Sequence, residues 1–501
     1  MQSKPKVVLI GIDGASHTLI ARGLQQGRLP TFRSLAAGRP PQPLLTPFPP
    51  HTAPGWTSLF TGVSPGEHGV YQFWELQAPG YRPALSTVAD FGREPLWRSL
   101  ERHGLSVGLF HVPMSHPPEP ITDGYMLTWP LTPTLGYAWP RSLIGELAEH
   151  GLHYQSDLMT MYREDESYLE TARALIDAKV DTLLYLMAAR PVDALFAVFT
   201  ELDRVSHCYW GGDEAPADEV TAIYDHMDAA LSRLLAAIDD DVAFLVVSDH
   251  GFGVCRHKIN VNALLAEAKL LATRPAEAPV AANGRKAHFS DVEQALSASW
   301  FRAAAPGREV DYSRTRAFMP APGCYGITLN RAGRQQQGIV SDTEAGAVMR
   351  EVEAVLGDLS LDGARPFEVL PRRQVYRGQR LSDAPDLILM PGSWDAMPAP
   401  DLQGPVFDAP AQAGIHREDG ILFARGLALE SRVARVEDVA PTVLAHLGLP
   451  AQADLDGRSL ALDAPRIACE PARRLARSPA SAAIGAHQVE IERRLAQLGY
   501  L

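Results

Sequence analysis

The chain reads as an α/β fold with a mostly parallel central sheet, helices on both faces and inserted loops. Three observations carry that expectation. Short runs of apolar, β-branched residues recur at 7–12, 106–111, 194–200, 242–248, 325–330, 386–390 and 420–424. Segments with helical spacing lie between them, at 30–36, 94–103, 141–149, 166–186, 217–238, 261–269, 342–356 and 436–447. Such alternation is how strands joined by crossover helices read in sequence. Acidic residues then close three of the runs: Asp13 after VVLIGI, Asp203 after LFAVFTEL and Asp249 after AFLVVS. In open parallel sheets, sites form beyond the carboxyl ends of strands, where these acids fall.

Composition narrows the class. With 501 residues, the chain is long enough for one large α/β domain with insertions or for two domains. We expect a catalytic domain over 1–461, with insertions at about 71–165 and 270–313, then a tail over 462–501. The tail ends in HQVEIERRLAQLGYL, which reads as an amphipathic docking helix. Hydrophobic content of 46% and charged content of 21% are ordinary for a soluble protein. A net charge of -13 argues against nucleic-acid scaffold binding. It remains compatible with a small phosphorylated partner, because bound metals reverse the local field. The four cysteines form no CxxC pair, which fits a reducing compartment. The first apolar run, from Val7, is too short for a signal peptide or membrane span. A cytoplasmic protein without a membrane partner is expected.

Along the chain, Asp13 ends the first strand beside Gly14 and suits either a metal ligand or a helix cap. The stretch 42–54 is dense in proline, so its backbone is restrained and helps to fix Thr52. Thr52 precedes an apparent helix at 54–60, whose N-terminal amides would point toward a phosphate. Threonine there also serves as a plain helix cap. Asp203 and His207 are four residues apart and share one face of a helical turn. Asp249 and His250 are adjacent, so their side chains point apart and can serve two metals. Gly251 permits the close turn this needs. His416 stands in GIHREDG, just before a strand. The segment 273–285 reads as a surface loop.

Carboxylate and imidazole ligands of this kind suit divalent zinc or manganese. A hydroxyl beside two such metals is a nucleophile for phosphoryl transfer. Trp56, Tyr71, Phe73 and Trp74 lie near Thr52 in sequence and would either stack on a base or pack the core. Lys258 and His257 follow the Asp249–His250 pair and face either a phosphate or solvent.

GIDG, TAPGWTSLFTGVSPGEHGV, ELDRVSH, SDHGFG, GIHREDGILFA and DVAPTVLAHLGLP, in that order, resemble the alkaline phosphatase superfamily. The closest branch is the type I phosphodiesterase/nucleotide pyrophosphatase family. The resemblance runs from Val7 to about Arg458. It implies two divalent metals, usually zinc, with manganese as the alternative. Asp13, Asp249, His250 and Thr52 would hold one; Asp203, His207 and His416 would hold the other. It further implies in-line attack by Thr52 on phosphorus, then hydrolysis of a phospho-threonine. His68 in GEHGV matches the pattern as a structural residue. One position departs from the family: an asparagine that binds a phosphoryl oxygen is replaced by Phe73, with Gln72 beside it as a substitute donor.

The expected activity is therefore that of a metal-dependent phosphodiesterase or nucleotide pyrophosphatase. The same site would also serve a phosphomonoesterase, a phosphonate hydrolase or a phosphotransferase. A sulfatase is disfavoured, because TAPGW lacks the C/S-x-P-x-R pattern and has Trp56 at the arginine position. A phosphoglycerate mutase is disfavoured because its nucleophile is serine. An inactive metal-binding scaffold is the alternative from another class.

Overall fold

The computed structural model describes residues 4–76, 78–81, 83–129, 137–152, 168–212, 216–275, 308–463, 465 and 468–476. The expected docking helix near the C-terminus lies outside them, as do most of the 273–285 loop and the first two residues of the 166–186 helix. The described chain forms two compact units. Among the described residues, the first lies within 4–70, 87–254 and 412–476, and the second within 71–86 and 255–411.

A nine-stranded sheet forms the frame of the first unit. Its order is Ala434–Arg435, Gln42–Leu45, Asp419–Arg425, Ala243–Val247, Val7–Ile12, Ala194–Phe199, Val107–Phe110, Gly124–Leu127 and Ala138–Trp139. The run from Ala243–Val247 to Gly124–Leu127 is parallel throughout. Asp419–Arg425 and Ala138–Trp139 enter antiparallel. The central strands are apolar and buried along their whole length, as a parallel sheet covered by helices requires. Val7 lies opposite both Ala194 and Ala243. That shared register brings Asp13, the start of the Glu201–Tyr209 helix and Asp249 to one edge of the sheet.

Two elements here were hidden in the sequence. Gln42–Leu45, inside the proline-dense stretch, pairs antiparallel with Asp419–Arg425. Proline is tolerated because Pro43 is paired on one side only, Ala434–Arg435 reaching no further than Leu44 and Leu45. The helix His17–Gln25 starts at Ser16, whose side chain accepts from the Leu19 amide.

The second unit departs from the parallel expectation. Ala317–Phe318, Gly326–Leu329, Leu387–Pro391 and Phe367–Pro371 make an antiparallel four-stranded sheet. Its buried residues Ile327, Leu329, Leu387 and Leu389 share a core with Val348, Val352 and Leu356 from the Ala345–Gly357 helix. Thr273–Pro275, expected as loop, pairs with Arg308–Val310. Among the described residues, no helix is long and apolar enough to cross a membrane.

Candidate active site

All seven residues expected to hold metal or attack phosphorus belong to the first unit. Asp13 leaves the end of Val7–Ile12, its amide bonded to Phe199 O at 2.8 Å. Gly14 follows with φ +69, and an added Cβ would meet Asp203 at 3.0 Å. Only glycine suits both the left-handed backbone and the close approach. Asp203 and His207 lie on the Glu201–Tyr209 helix that follows the neighbouring strand. Asp249 and His250 follow Ala243–Val247. The next strand, Gly251–Val254, pairs with Gly414–Arg417 so that Phe252 faces His416. That pairing delivers His416 to the cluster.

Thr52 is the first residue of the helix Thr52–Thr61, and its cap is His51 rather than Thr52 itself. The His51 ring accepts from the Ala53 amide at 3.2 Å. Pro54 has no amide proton, and the Gly55 amide bonds His51 O. The amides of Ala53 and Gly55 are thus engaged within the turn, so the expected phosphate cradle is not built from them. The Thr52 hydroxyl is left to side chains: Oγ1 is 3.4 Å from Asp13 Oδ1 and 3.3 Å from His250 Nε2.

Around it the ligands converge in two groups, Asp13 with Asp249 and His250, and Asp203 with His250 and His416. His250 belongs to both. Its Nε2 stands 3.4 Å from Asp13 Oδ1, 3.3 Å from Asp249 Oδ2 and 3.9 Å from Asp203 Oδ1. His416 Nε2 is 3.1 Å from Asp203 Oδ1, and His207 Nε2 is 3.6 Å from the same oxygen. The His250 and His416 rings stack at 3.8 Å.

Each histidine is oriented by a backbone carbonyl at Nδ1: Gly251 O for His250, Gly414 O for His207 and Pro50 O for His416, all at 3.1 Å. A carbonyl only accepts, so Nδ1 carries the proton and the neutral ring presents an Nε2 lone pair. Three lone pairs therefore converge on three buried carboxylates. Asp203 Oδ1 and Asp249 Oδ2 accept no hydrogen bond among the described residues. Such a set of acceptors facing one another fits divalent cations, with the carbonyls as orienting partners behind the ligands.

Burial raises the Asp13 carboxyl well above its ordinary value, and repulsion from Asp203 adds to this. Asp249 is raised by burial, then by Asp13 and Asp203. Burial acts to raise Asp203 too, but His207, His416 and Arg204 outweigh it and hold that carboxyl low. Burial lowers His250 well below the ordinary imidazole value, with His416 adding to it. Burial likewise pushes His207 down to about 4. Burial thus favours the neutral form of His250 and His207, as ligation demands.

The residues expected to touch substrate lie differently. Trp56 is wholly buried and its Nε1 donates to Asp13 Oδ2 at 3.0 Å. With no exposed face, it is not a stacking platform. Gln72, Phe73 and Lys258 belong to the second unit. Gln72 is buried and one N–H of its side-chain amide donates to Trp74 O at 2.5 Å. Phe73 is buried as well. Lys258 is paired with Asp401 at 3.0 Å and Asp408 at 3.1 Å. Tyr71 packs edge-on against Tyr376. His68 is structural: it shares a 2.9 Å hydrogen bond with Ser58 and accepts from the Val70 amide.

Sequence reasoning passed over three neighbours. Arg204 is buried, with Nη1 3.3 Å from Asp203 Oδ2 and its guanidinium over Trp129. In sequence it reads as an ordinary helix-surface charge. Ser248 accepts from the Ala15 amide and donates to His250 O, tying two site loops together. His51 was visible beside Thr52, but nothing in the sequence marked it as the cap.

Comparison with known proteins agrees with this architecture. The family model described as type I phosphodiesterase/nucleotide pyrophosphatase matches residues 7–398. No curated protein matches the chain by sequence. Among solved structures, human ectonucleotide pyrophosphatase/phosphodiesterase 5 is similar, with a TM-score of 0.52 and 13% identity over 93% of this chain and 97% of that one. Its murine counterpart, an inactive form in complex with AMP, gives 0.51 and 13% over 89% and 96%. Phosphonoacetate hydrolase from Sinorhizobium meliloti 1021, in complex with phosphonoformate, gives 0.51 and 16% over 87% and 94%. At these identities the likeness is one of fold, and that fold is alkaline-phosphatase-like. The chain belongs to the type I phosphodiesterase/nucleotide pyrophosphatase family, a family of phosphoric ester hydrolases.

Proposed function

We propose that the protein is a metal-dependent phosphodiesterase of the nucleotide pyrophosphatase type, acting on a small phosphorylated substrate through a phospho-threonine on Thr52. The observation that carries this is the buried Thr52 hydroxyl, set against Asp13 and His250 at the edge of a second Asp203–His416 group. Asp13, Asp249 and His250, with Thr52, would hold one divalent metal. Asp203, His207 and His416 would hold the other. Zinc suits this mixture of oxygen and imidazole ligands. When bound, the metals supply charge that lowers the hydroxyl pKa and stabilises the phosphoryl oxygens.

The chain's own groups do the rest. Asp13 Oδ1 receives the Thr52 hydroxyl proton in the resting hydrogen bond, which turns the oxygen's other lone pairs outward. The Thr52 oxygen bonds to phosphorus as the bond to the leaving oxygen breaks. Water then cleaves the phospho-threonine and restores the hydroxyl. The helix holds Thr52 at a fixed height, so attack needs no rearrangement of the backbone.

A second reading keeps the site and changes the substrate to a phosphonate. The Sinorhizobium hydrolase motivates it, together with the engaged Gln72 amide where a nucleotide enzyme would use a donor. The test is turnover of bis-p-nitrophenyl phosphate, p-nitrophenyl phosphate and phosphonoacetate by zinc-loaded protein. Diester turnover supports the first reading, and phosphonoacetate turnover alone supports the second. None of the four cysteines is in a disulfide, which supports the cytoplasm as the compartment.

A further inference from the structure

Trp56 has no part in the bond-making steps, yet it holds one of the acids those steps need. Asp13 has two oxygens, and they face different groups. Oδ1 lies 3.4 Å from Thr52 Oγ1 and 3.4 Å from His250 Nε2, while Oδ2 receives the Trp56 indole N–H at 3.0 Å. We propose that Trp56 is a positioning residue that reserves Asp13 Oδ1 for the metal and the nucleophile by occupying Oδ2. This inference rests on the metal-dependent reading above.

Three features of the fold converge on that role. Thr52 and Trp56 are four residues apart on the helix Thr52–Thr61, so both project from one face. One helical turn therefore delivers a hydroxyl to one oxygen of Asp13 and an N–H to the other. The distance between nucleophile and acid is set by the rigid pitch of a helix rather than by a loop. Gly11 supplies the second feature. It shares the Asp13 side of the strand, two residues earlier. A Cβ at Gly11 would sit 2.2 Å from Trp56 Cη2 and 2.9 Å from Cζ3. The glycine is thus the slot in which the indole lies. Third, Phe60 stacks alongside the indole with centroids 6.2 Å apart, fixing its plane.

A hydrogen bond to an ionised carboxylate is worth roughly twice a neutral one. It is worth most where the carboxylate is dry and crowded, as Asp13 is beside Asp203 and Asp249. An aromatic needed only to fill space would have no use for the N–H, and phenylalanine would serve.

The test compares the full-length wild type with Trp56→Phe, and with a chain carrying 3-benzothienylalanine at position 56. The latter replaces N–H by sulfur at nearly unchanged shape, so the fold is kept. Zinc titration calorimetry and the visible spectrum of the cobalt-substituted protein are the readouts. Loss of an outer hydrogen-bond partner of a metal ligand should weaken one of two sites by about 10–100-fold, leave the other unchanged and alter the cobalt spectrum. In steady state, kcat should fall while KM holds. Unchanged affinities and an unchanged cobalt spectrum in both variants, with only the melting temperature lowered, would show that Trp56 is packing and overturn the proposal. A wild type that takes up no zinc or cobalt would overturn the metal-dependent reading, and this role with it.

Discussion

His207 and His416 meet Nε2 to Nε2 at 3.0 Å, while the far nitrogen of each ring is bound to a backbone carbonyl. Two neutral imidazoles so oriented present lone pairs to each other. Asp203 stands beside both and brings only further acceptors. A cation satisfies all three at once.

The first prediction follows. Elemental analysis should find two divalent ions per chain, and exhaustive chelation should abolish turnover. Zinc should restore it. Activity that persists in metal-free protein would refute the assignment.

Metal binding should also release protons wherever Asp13 and Asp249 are still protonated in the metal-free fold. Asp13 and Asp249 have carboxyls raised by burial and mutual repulsion. In the metal-free fold, stability from this pair falls as pH rises from the ordinary carboxylate value of about 4 through their raised values. A bound cation displaces those protons, so affinity climbs over the same window. The lowered histidines are already neutral and add none. Calorimetry in buffers of different ionisation enthalpy counts the protons across a pH series, and a count of zero at every pH above the ordinary carboxylate value would contradict the prediction.

Thr52→Ala should reduce kcat by about 1,000-fold or more, with metal content retained. Thr52→Ser should keep measurable turnover, because it preserves the hydroxyl. Near-wild-type rates in Thr52→Ala would mean that water attacks phosphorus directly.

Diesters should be cleaved faster than monoesters sharing a leaving group. The family is the phosphodiesterase branch, and the arginine beside the ligands, Arg204, is committed to Asp203. It is therefore not free to fork onto a monoester dianion. The measurement is kcat/KM for the matched pair. A monoester preference of about tenfold, some 1.4 kcal/mol, would reverse the assignment.

A stability prediction concerns the ion pair behind the Asp203 helix. Lys179 Nζ and Glu201 Oε1 are 2.6 Å apart and both residues are buried. Lys179→Met should cost about 3–5 kcal/mol, because it removes the cation paired with a buried carboxylate. Lys179→Met with Glu201→Gln should recover much of that loss. Chemical denaturation of both variants decides it, and an additive double mutant would argue against coupling.

Much of the site was legible because strand ends announce themselves: an apolar run that stops at Asp13 or Ser248 states where the sheet edge lies. The identity of Thr52 was legible from its motif. Its cap was not, since His51 and Thr52 are both capable of closing a helix turn and only the backbone decides. Gln42–Leu45 was hidden because prolines mask a strand paired mainly on one side. The antiparallel second sheet was hidden for another reason: isolated runs such as Gly326–Leu329 carry no mark of strand direction. Trp56 read as either a stacking platform or core packing, because sequence shows that an indole is near, but not which way its N–H points.

The pairing of Phe252 with His416 also sets a schedule. A ribosome adding about 5–20 residues per second makes Asp13 roughly 20–80 s before His416 emerges. Until then, the nascent chain holds three carboxylates meant for one place without the last imidazole that completes them. Closing so long a span is slow in any fold rich in distant contacts. The Asp203–His416 group is thereby completed only late in synthesis, whereas Asp13, Asp249 and His250 are all made before residue 251.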